Sequence, residues 1–179
     1  MVQHAIDFAP LAHKDQVRKY TGDPYISHCI DVYRRLEQFD YVFEMCYGDE
    51  VFAAAILHDT VEDTAVKLWD IYHNFGSVVG EYVMWLTDCA KPEEGNRATR
   101  KGIERERLRH APEIVQNIKV CDLIDNTRSI VAHDPKFAKV YLKEKDALLN
   151  VFTKAHPYLV GEARQLIIES YRKLEGTND

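Results

Sequence analysis

Apolar residues recur at three- and four-residue intervals along most of the chain, and no strand-length stretch shows convincing alternation. This spacing predicts a first helix over about 2–16. RKYTGDPYISH then reads as a loop, with Gly22, Asp23 and Pro24 as turn formers. A second helix is expected from Ser27 to Phe39, with Ile30, Tyr33 and Leu36 on one side, before Gly48-Asp49 breaks the chain. VFAAAILHD is apolar almost all round, which puts this third helix deep in the core. A helix from Val66 closes at Phe75 before Gly76, and Ser77 caps another over 78–88. CAKPEEGNRATRK is a polar surface excursion leading into a charged helix near 97–110. After Pro112 a long helix carries IVQNIKVCDLIDNTRSIV, with Ile114, Ile118, Cys121, Leu123 and Ile124 as its core stripe. Helices near 135–154 and 158–174 complete the pattern. The expectation is an all-α fold in a single domain, residues 1–179.

Composition narrows the class. The chain has 179 residues, 46% hydrophobic and 29% charged, which is enough for one buried core and too apolar for disorder. A formal net charge of −6 argues against a non-specific nucleic-acid coat, though not against a local basic cleft for a small anion. The N-terminus lacks a basic leader followed by an apolar stretch, so no signal peptide is expected. Runs such as VFAAAIL fall far short of the roughly 20 apolar residues of a membrane span. Cys29, Cys46, Cys89 and Cys121 lie far apart without CxxC spacing, and read as reduced, mostly buried thiols of a cytoplasmic protein.

Candidate chemistry gathers where polar residues interrupt apolar helices. His28, His58, Asp59 and Asp122 are four candidate metal ligands. Adjacent residues diverge by about 100° around a helix, so His58 and Asp59 converge only if the helix ends there. Two imidazoles and two carboxylates form a mixed N/O set suited to Mn²⁺, Fe²⁺ or Zn²⁺. Each has a structural reading too: His28 as a helix-start residue, Asp122 as a partly exposed polar position. That reading is weakest for His58-Asp59, because burying charge at the end of an apolar helix is costly unless it is paired or metal-bound. Glu62 and Asp63 follow Asp59 by three and four residues; they sit over the same spot if a helical turn continues, or else form an ordinary acidic helix start. The arginines between Arg97 and Arg109 alternate with glutamates and read as a solvated face. Arg18 and Lys19 lead into the loop that ends at His28 and are better placed for phosphate.

RKYTGDPYISH, HDTVEDT and IKVCDLIDNTRSI, in this order and spacing, resemble the hydrolase domain of RelA/SpoT-type alarmone enzymes, within the HD-domain phosphohydrolase superfamily. The match spans roughly residues 3–150 and leaves no room for a synthetase domain, so the likeness is to stand-alone small alarmone hydrolases. The resemblance implies a helical HD-domain bundle that uses Mn²⁺ to remove the 3′-pyrophosphate from guanosine 3′,5′-bis(diphosphate). It places the metal on His28, His58, Asp59 and Asp122, and makes Glu62 and Asp63 the pair that positions and deprotonates water. It assigns Asn126 to the sugar, Ser129 to the nucleoside, Arg18 to the base and Lys19 to a neighbouring polar contact, with Tyr141 and Lys145 on a pocket-lining helix. The implied partner is a small nucleotide, not a nucleic acid or a membrane; the sequence does not give the oligomeric state.

The chain departs from the family pattern at Leu123, where Lys or Arg is usual, and at Asp125, where an aromatic or His is usual. The loop after Lys19 is one residue longer, and the segment around 90–105 aligns poorly. These departures cluster at the pocket wall, so adenosine alarmones are an alternative substrate. A different HD-type nucleotidase or phosphodiesterase and a catalytically silent nucleotide sensor are the rival readings; the six intact metal and acid-base positions weigh against the sensor.

Overall fold

A computed structural model describes residues 1–176. Among the described residues there are nine α-helices and a single 3₁₀ turn, with no β-strand beyond one isolated bridge between Val17 and Pro24. The all-α expectation holds. The chain divides into two compact units, Met1–Asp88 and the part from Cys89 onward.

The first unit contains α1 (Val2–Ala12), α2 (Ile26–Phe43), α3 (Asp49–Leu57), the single turn α4 (Thr60–Asp63) and α5 (Leu68–Leu86). Its centre is α3, which packs against α1, α2 and α5. Ala53, Ala54, Ala55, Ile56 and Leu57 are completely buried, as the all-round apolar pattern predicts. The three alanines let neighbouring helices approach closely while the longer side chains fill the space beyond.

In the first unit several boundaries differ from the sequence pattern. α1 stops at Ala12 instead of 16, because the Gln16 N–H bonds to the carbonyl of His13 and starts a new turn. α2 runs on to Phe43, four residues past the expected end. Phe39 and Phe43 lie one turn apart with ring centroids at 5.0 Å, and left-handed Glu44 then closes the helix. α5 starts at Leu68, two residues later than expected. The expected interruption at Gly76 is present inside α5: φ is 85° and ψ 175°, a conformation that strongly favours glycine. Beyond it the Tyr72 ring packs so close to Gly80 that a Cβ there would lie 2.7 Å from the ring.

The second unit comprises the 3₁₀ turn Pro92–Glu94, α6 (Arg97–Arg109), α7 (Glu113–His133), α8 (Pro135–Leu149) and α9 (Pro157–Gly176). α7 packs on α8 and α9, and α8 also meets α6. Burial on α7 is wider than the expected stripe: every residue from Val115 to Ile124 except Lys119 is buried, while Ile114 is not. The polar members are satisfied. Gln116 donates to the carbonyls of Leu108 and Arg109 and accepts from the N–H groups of Lys154 and Ala155. That last pair also explains why α8 ends at Leu149 rather than near 154: the following backbone is bonded to Gln116 instead of continuing the helix. In the polar excursion, buried Glu104 accepts the N–H groups of Cys89 and Ala90 and pairs with Arg107 at 2.9 Å. Of the four cysteine thiols, Cys29 and Cys121 are buried, but Cys46 and Cys89 are exposed, so only half match the expectation of buried thiols. No described helix is long and apolar enough to cross a membrane.

Candidate functional site

In the first unit the end of α3 brings two adjacent side chains to one point. Leu57 is the last residue of α3, and Asp59, at φ −98° and ψ −3°, leads into α4 at Thr60. This turn lets His58 Nε2 and Asp59 Oδ2 come within 3.0 Å of each other. His28, on the first turn of α2, places its Nε2 3.5 Å from the same oxygen. The three residues are buried, and their ligating atoms lie within 4.8 Å of one another.

The donor chemistry fits a divalent cation. His58 Nδ1 lies 2.8 Å from the carbonyl of Ala55. A carbonyl only accepts, so Nδ1 carries the proton and Nε2 is the lone-pair end. That Nε2 is fully buried and makes no hydrogen bond. A lone pair and a carboxylate oxygen 3.0 Å apart repel each other unless a cation between them accepts both. At metal–ligand bonds of about 2.0–2.2 Å, neighbouring ligands stand roughly 3 Å apart, which is the spacing seen here. The backbone hydrogen bond at Nδ1 and the Tyr25 hydroxyl, donating to Asp59 Oδ2 at 2.6 Å, are the kind of outer contacts that orient metal ligands.

The turn after Asp59 carries the two acidic residues. Asp63 N–H bonds to the carbonyl of Asp59, so the helical turn expected from sequence is formed. Both side chains are exposed. Glu62 accepts the Asp88 N–H at 3.0 Å, and Asp63 accepts from Gln16 Nε2 at 3.0 Å. The loop ahead of α2 is pinned at its base. The Arg18 N–H donates to the carbonyl of Asp23, the Gly22 N–H to that of Arg18, and Gly22 adopts a φ of 77°. Lys19 extends over the ring of Tyr20, 4.8 Å from its centroid.

In the second unit Asp122 is buried on α7, with Lys119 Nζ at 3.1 Å from Oδ2 and Asn126 Nδ2 donating to Oδ1 at 2.5 Å. Tyr141, on α8, is buried, and its hydroxyl lies 3.4 Å from the carbonyl of Leu123. Burial, aided by the charge of Asp122, pushes the Tyr141 phenol far above its ordinary pKa, so it stays a neutral hydrogen-bonding group. Lys145 lies over the Tyr141 ring, 5.0 Å from the centroid. Thus Asp122 meets Asn126, and Tyr141 meets Lys145. Ser129 stands one turn beyond Asn126, where its carbonyl accepts from His133.

Four residues of these surroundings were missed from sequence. Tyr25 sits inside the PYISH segment, and its position three residues before His28 was the available signal. Lys119 precedes Asp122 by one helical turn, the spacing of an i,i+3 ion pair. His13 and Gln16 fall in the stretch expected to be helical and carried no signal of their own.

Comparison with known proteins places these features in a family. An HD-domain family model matches residues 5–154. A zebrafish guanosine-3′,5′-bis(diphosphate) 3′-pyrophosphohydrolase, MESH1, is 34% identical over 121 residues, 67% of this chain. The chain spans only 62% of that relative's length. The human MESH1 counterpart is 34% identical over 127 residues, covering 70% of this chain and 67% of its own. Among solved structures, one described as a metazoan orthologue of SpoT that hydrolyzes ppGpp superposes with a TM-score of 0.80. It is 23% identical and covers 94% of both chains, a likeness of fold.

Proposed function

Since the chain belongs to the HD-domain family, in its ppGpp hydrolase branch, we propose that it hydrolyses the 3′-pyrophosphate of guanosine 3′,5′-bis(diphosphate) and its pentaphosphate relative. The observation that carries this reading is the buried His28–His58–Asp59 cluster with Glu62 and Asp63 on the turn that follows it. The ion proposed is Mn²⁺, on the family resemblance and on a mixed N/O ligand set. The same resemblance makes Asp122 the fourth ligand; a single catalytic domain over residues 1–179, from chain length, and a cytoplasmic setting, from cysteine usage, complete the reading. When bound, the ion would neutralise phosphoryl charge and make water more acidic.

The chain's own residues then divide the work. His28, His58, Asp59 and Asp122 hold the ion, and Tyr25 and the Ala55 carbonyl keep two of those ligands oriented. Glu62 and Asp63 position a water and take its proton. The water oxygen attacks the phosphorus joined to the 3′-oxygen. That P–O bond breaks, pyrophosphate departs, and the 3′-oxygen gains a proton to leave GDP or GTP. Arg18 and Lys19 serve the base and a nearby polar contact, Asn126 the sugar, and Ser129, Tyr141 and Lys145 the nucleoside side of the pocket. Positioning and charge neutralisation supply most of the acceleration.

The test is incubation of the full chain with guanosine and adenosine 3′-diphosphate nucleotides and Mn²⁺, with products resolved by ion exchange. Pyrophosphate with the matching nucleoside 5′-di- or triphosphate is expected. Release of orthophosphate alone, or tight binding without product, would refute the assignment.

A further inference from the structure

A chain of hydrogen bonds outside the ligand set ends on Asp63. His13, just after α1, is buried, and its Nδ1 lies 2.7 Å from Gln16 Oε1. Gln16 Nε2 in turn donates to Asp63 Oδ2 at 3.0 Å. The roles along this chain are forced. An ionised carboxylate only accepts, so Gln16 must present its amide nitrogen to Asp63 and its oxygen to His13. That oxygen needs a donor, which places the His13 proton on Nδ1. The other end of the ring agrees: His13 Nε2 is buried without a hydrogen bond, a poor place for an N–H.

The same imidazole has a second contact. Its ring stacks on Tyr25 at a centroid distance of 5.1 Å and an interplanar angle of 29°. Tyr25 donates to Asp59. One buried histidine therefore supports both the acidic turn and the ligand cluster, by an edge and by a face. Asp63 is exposed, with several rotamers open to it, so a fixed partner limits where its carboxylate points.

We propose that His13 and Gln16 are positioning residues for the Asp63 carboxylate. This rests on the reading that Asp63 takes the proton of the attacking water. The substitutions separate the two contacts. Gln16→Leu removes the link to Asp63 at a half-buried position and leaves the ring of His13 in place. His13→Phe keeps a ring over Tyr25 but has no donor, whereas His13→Asn keeps an N–H donor without the ring.

The experiment uses the full chain with saturating Mn²⁺ and the guanosine substrate. It measures kcat and KM, Mn²⁺ affinity by calorimetry, and the ¹⁵N resonances of His13 in the metal-free protein. Q16L should lower kcat roughly 10- to 100-fold, the scale of a small displacement of a reacting group. KM and Mn²⁺ affinity should stay within about twofold, since uniform binding is untouched. H13F should resemble Q16L, H13N should recover much of the rate, and the wild-type ring should carry its proton on Nδ1. A Q16L enzyme with unchanged kcat, equal losses in H13F and H13N, or a proton on Nε2 would each overturn the proposal. A wild-type chain that releases no pyrophosphate would overturn the functional reading instead, and the position of the His13 proton would still decide the hydrogen-bond chain.

Discussion

Among the described residues each of the two units buries one aspartate, and each surrounds it differently. Asp59 in the first unit faces the Nε2 atoms of His28 and His58 and takes a hydrogen bond from Tyr25. Asp122 in the second lies against the ammonium of Lys119 and the amide of Asn126. An imidazole nitrogen with an open lone pair shares a cation with a carboxylate. An ammonium or an amide N–H only donates; it neutralises and fixes a carboxylate but offers nothing to a metal. The first unit thus gathers a cluster of groups that could hold a metal, and the second holds a single carboxylate against its own partners. Asp59 is therefore probed through metal and rate, and the surroundings of Asp122 through the stability of the metal-free protein.

The largest expected effect is at Asp59. Asp59→Ala removes the oxygen that both imidazoles face, and should abolish Mn²⁺ binding and hydrolysis together. Calorimetric titration of Mn²⁺ and pyrophosphate release check this, and normal activity would break the contrast at once. Next comes Glu62→Ala, which should leave Mn²⁺ affinity intact while turnover falls about 10²- to 10⁴-fold, the usual worth of a general base. Loss of metal in that variant would move Glu62 into the ligand set.

Much of this site was legible in the sequence because its parts are local. The HDTVED segment carries candidate ligands and acidic residues within six positions, and a helix that ends at Leu57 brings them together. The all-round apolar pattern of α3 gave its depth. What escaped were contacts between segments distant in sequence. Gln16 is 47 residues from Asp63, and Tyr25 is 34 from Asp59. No periodicity reports a side-chain amide folding back onto a later turn. One helix boundary that differed has this cause: α8 ends where Gln116, 38 residues earlier, captures the backbone of Lys154. The exposed Cys46 and Cys89 show the same limit, since composition gives a residue's usual burial, not its burial at one site.

Lys119→Met probes the second unit. It leaves Asp122 buried without its ammonium, and breaking such a pair should cost about 3 kcal/mol of stability. Denaturant unfolding of the metal-free protein measures the loss. Replacing both partners, with Asp122→Asn added, should restore most of it, because the uncompensated charge is then gone. If K119M proves as stable as wild type, Asp122 is not held in the way its surroundings suggest.

The smallest effect distinguishes the units by a phenol in each. Tyr33 is raised to about 12, first by partial burial and then by its hydrogen bond to Glu37 and that residue's charge. Tyr141 is raised further by complete burial. In both cases the neutral phenol is the form the fold favours. Its contribution is present below the unfolded pKa of about 10 and is lost as pH rises through the folded value. For Tyr33 that window runs from about 10 to about 12, whereas Tyr141 remains protonated through it. Ultraviolet titration of Tyr33→Phe against wild type should remove one phenol ionising near pH 12. Tyr141→Phe should leave that part of the curve unchanged. Should Tyr141→Phe instead remove an ionisation below 12, the interior of the second unit is more open to water than its packing implies.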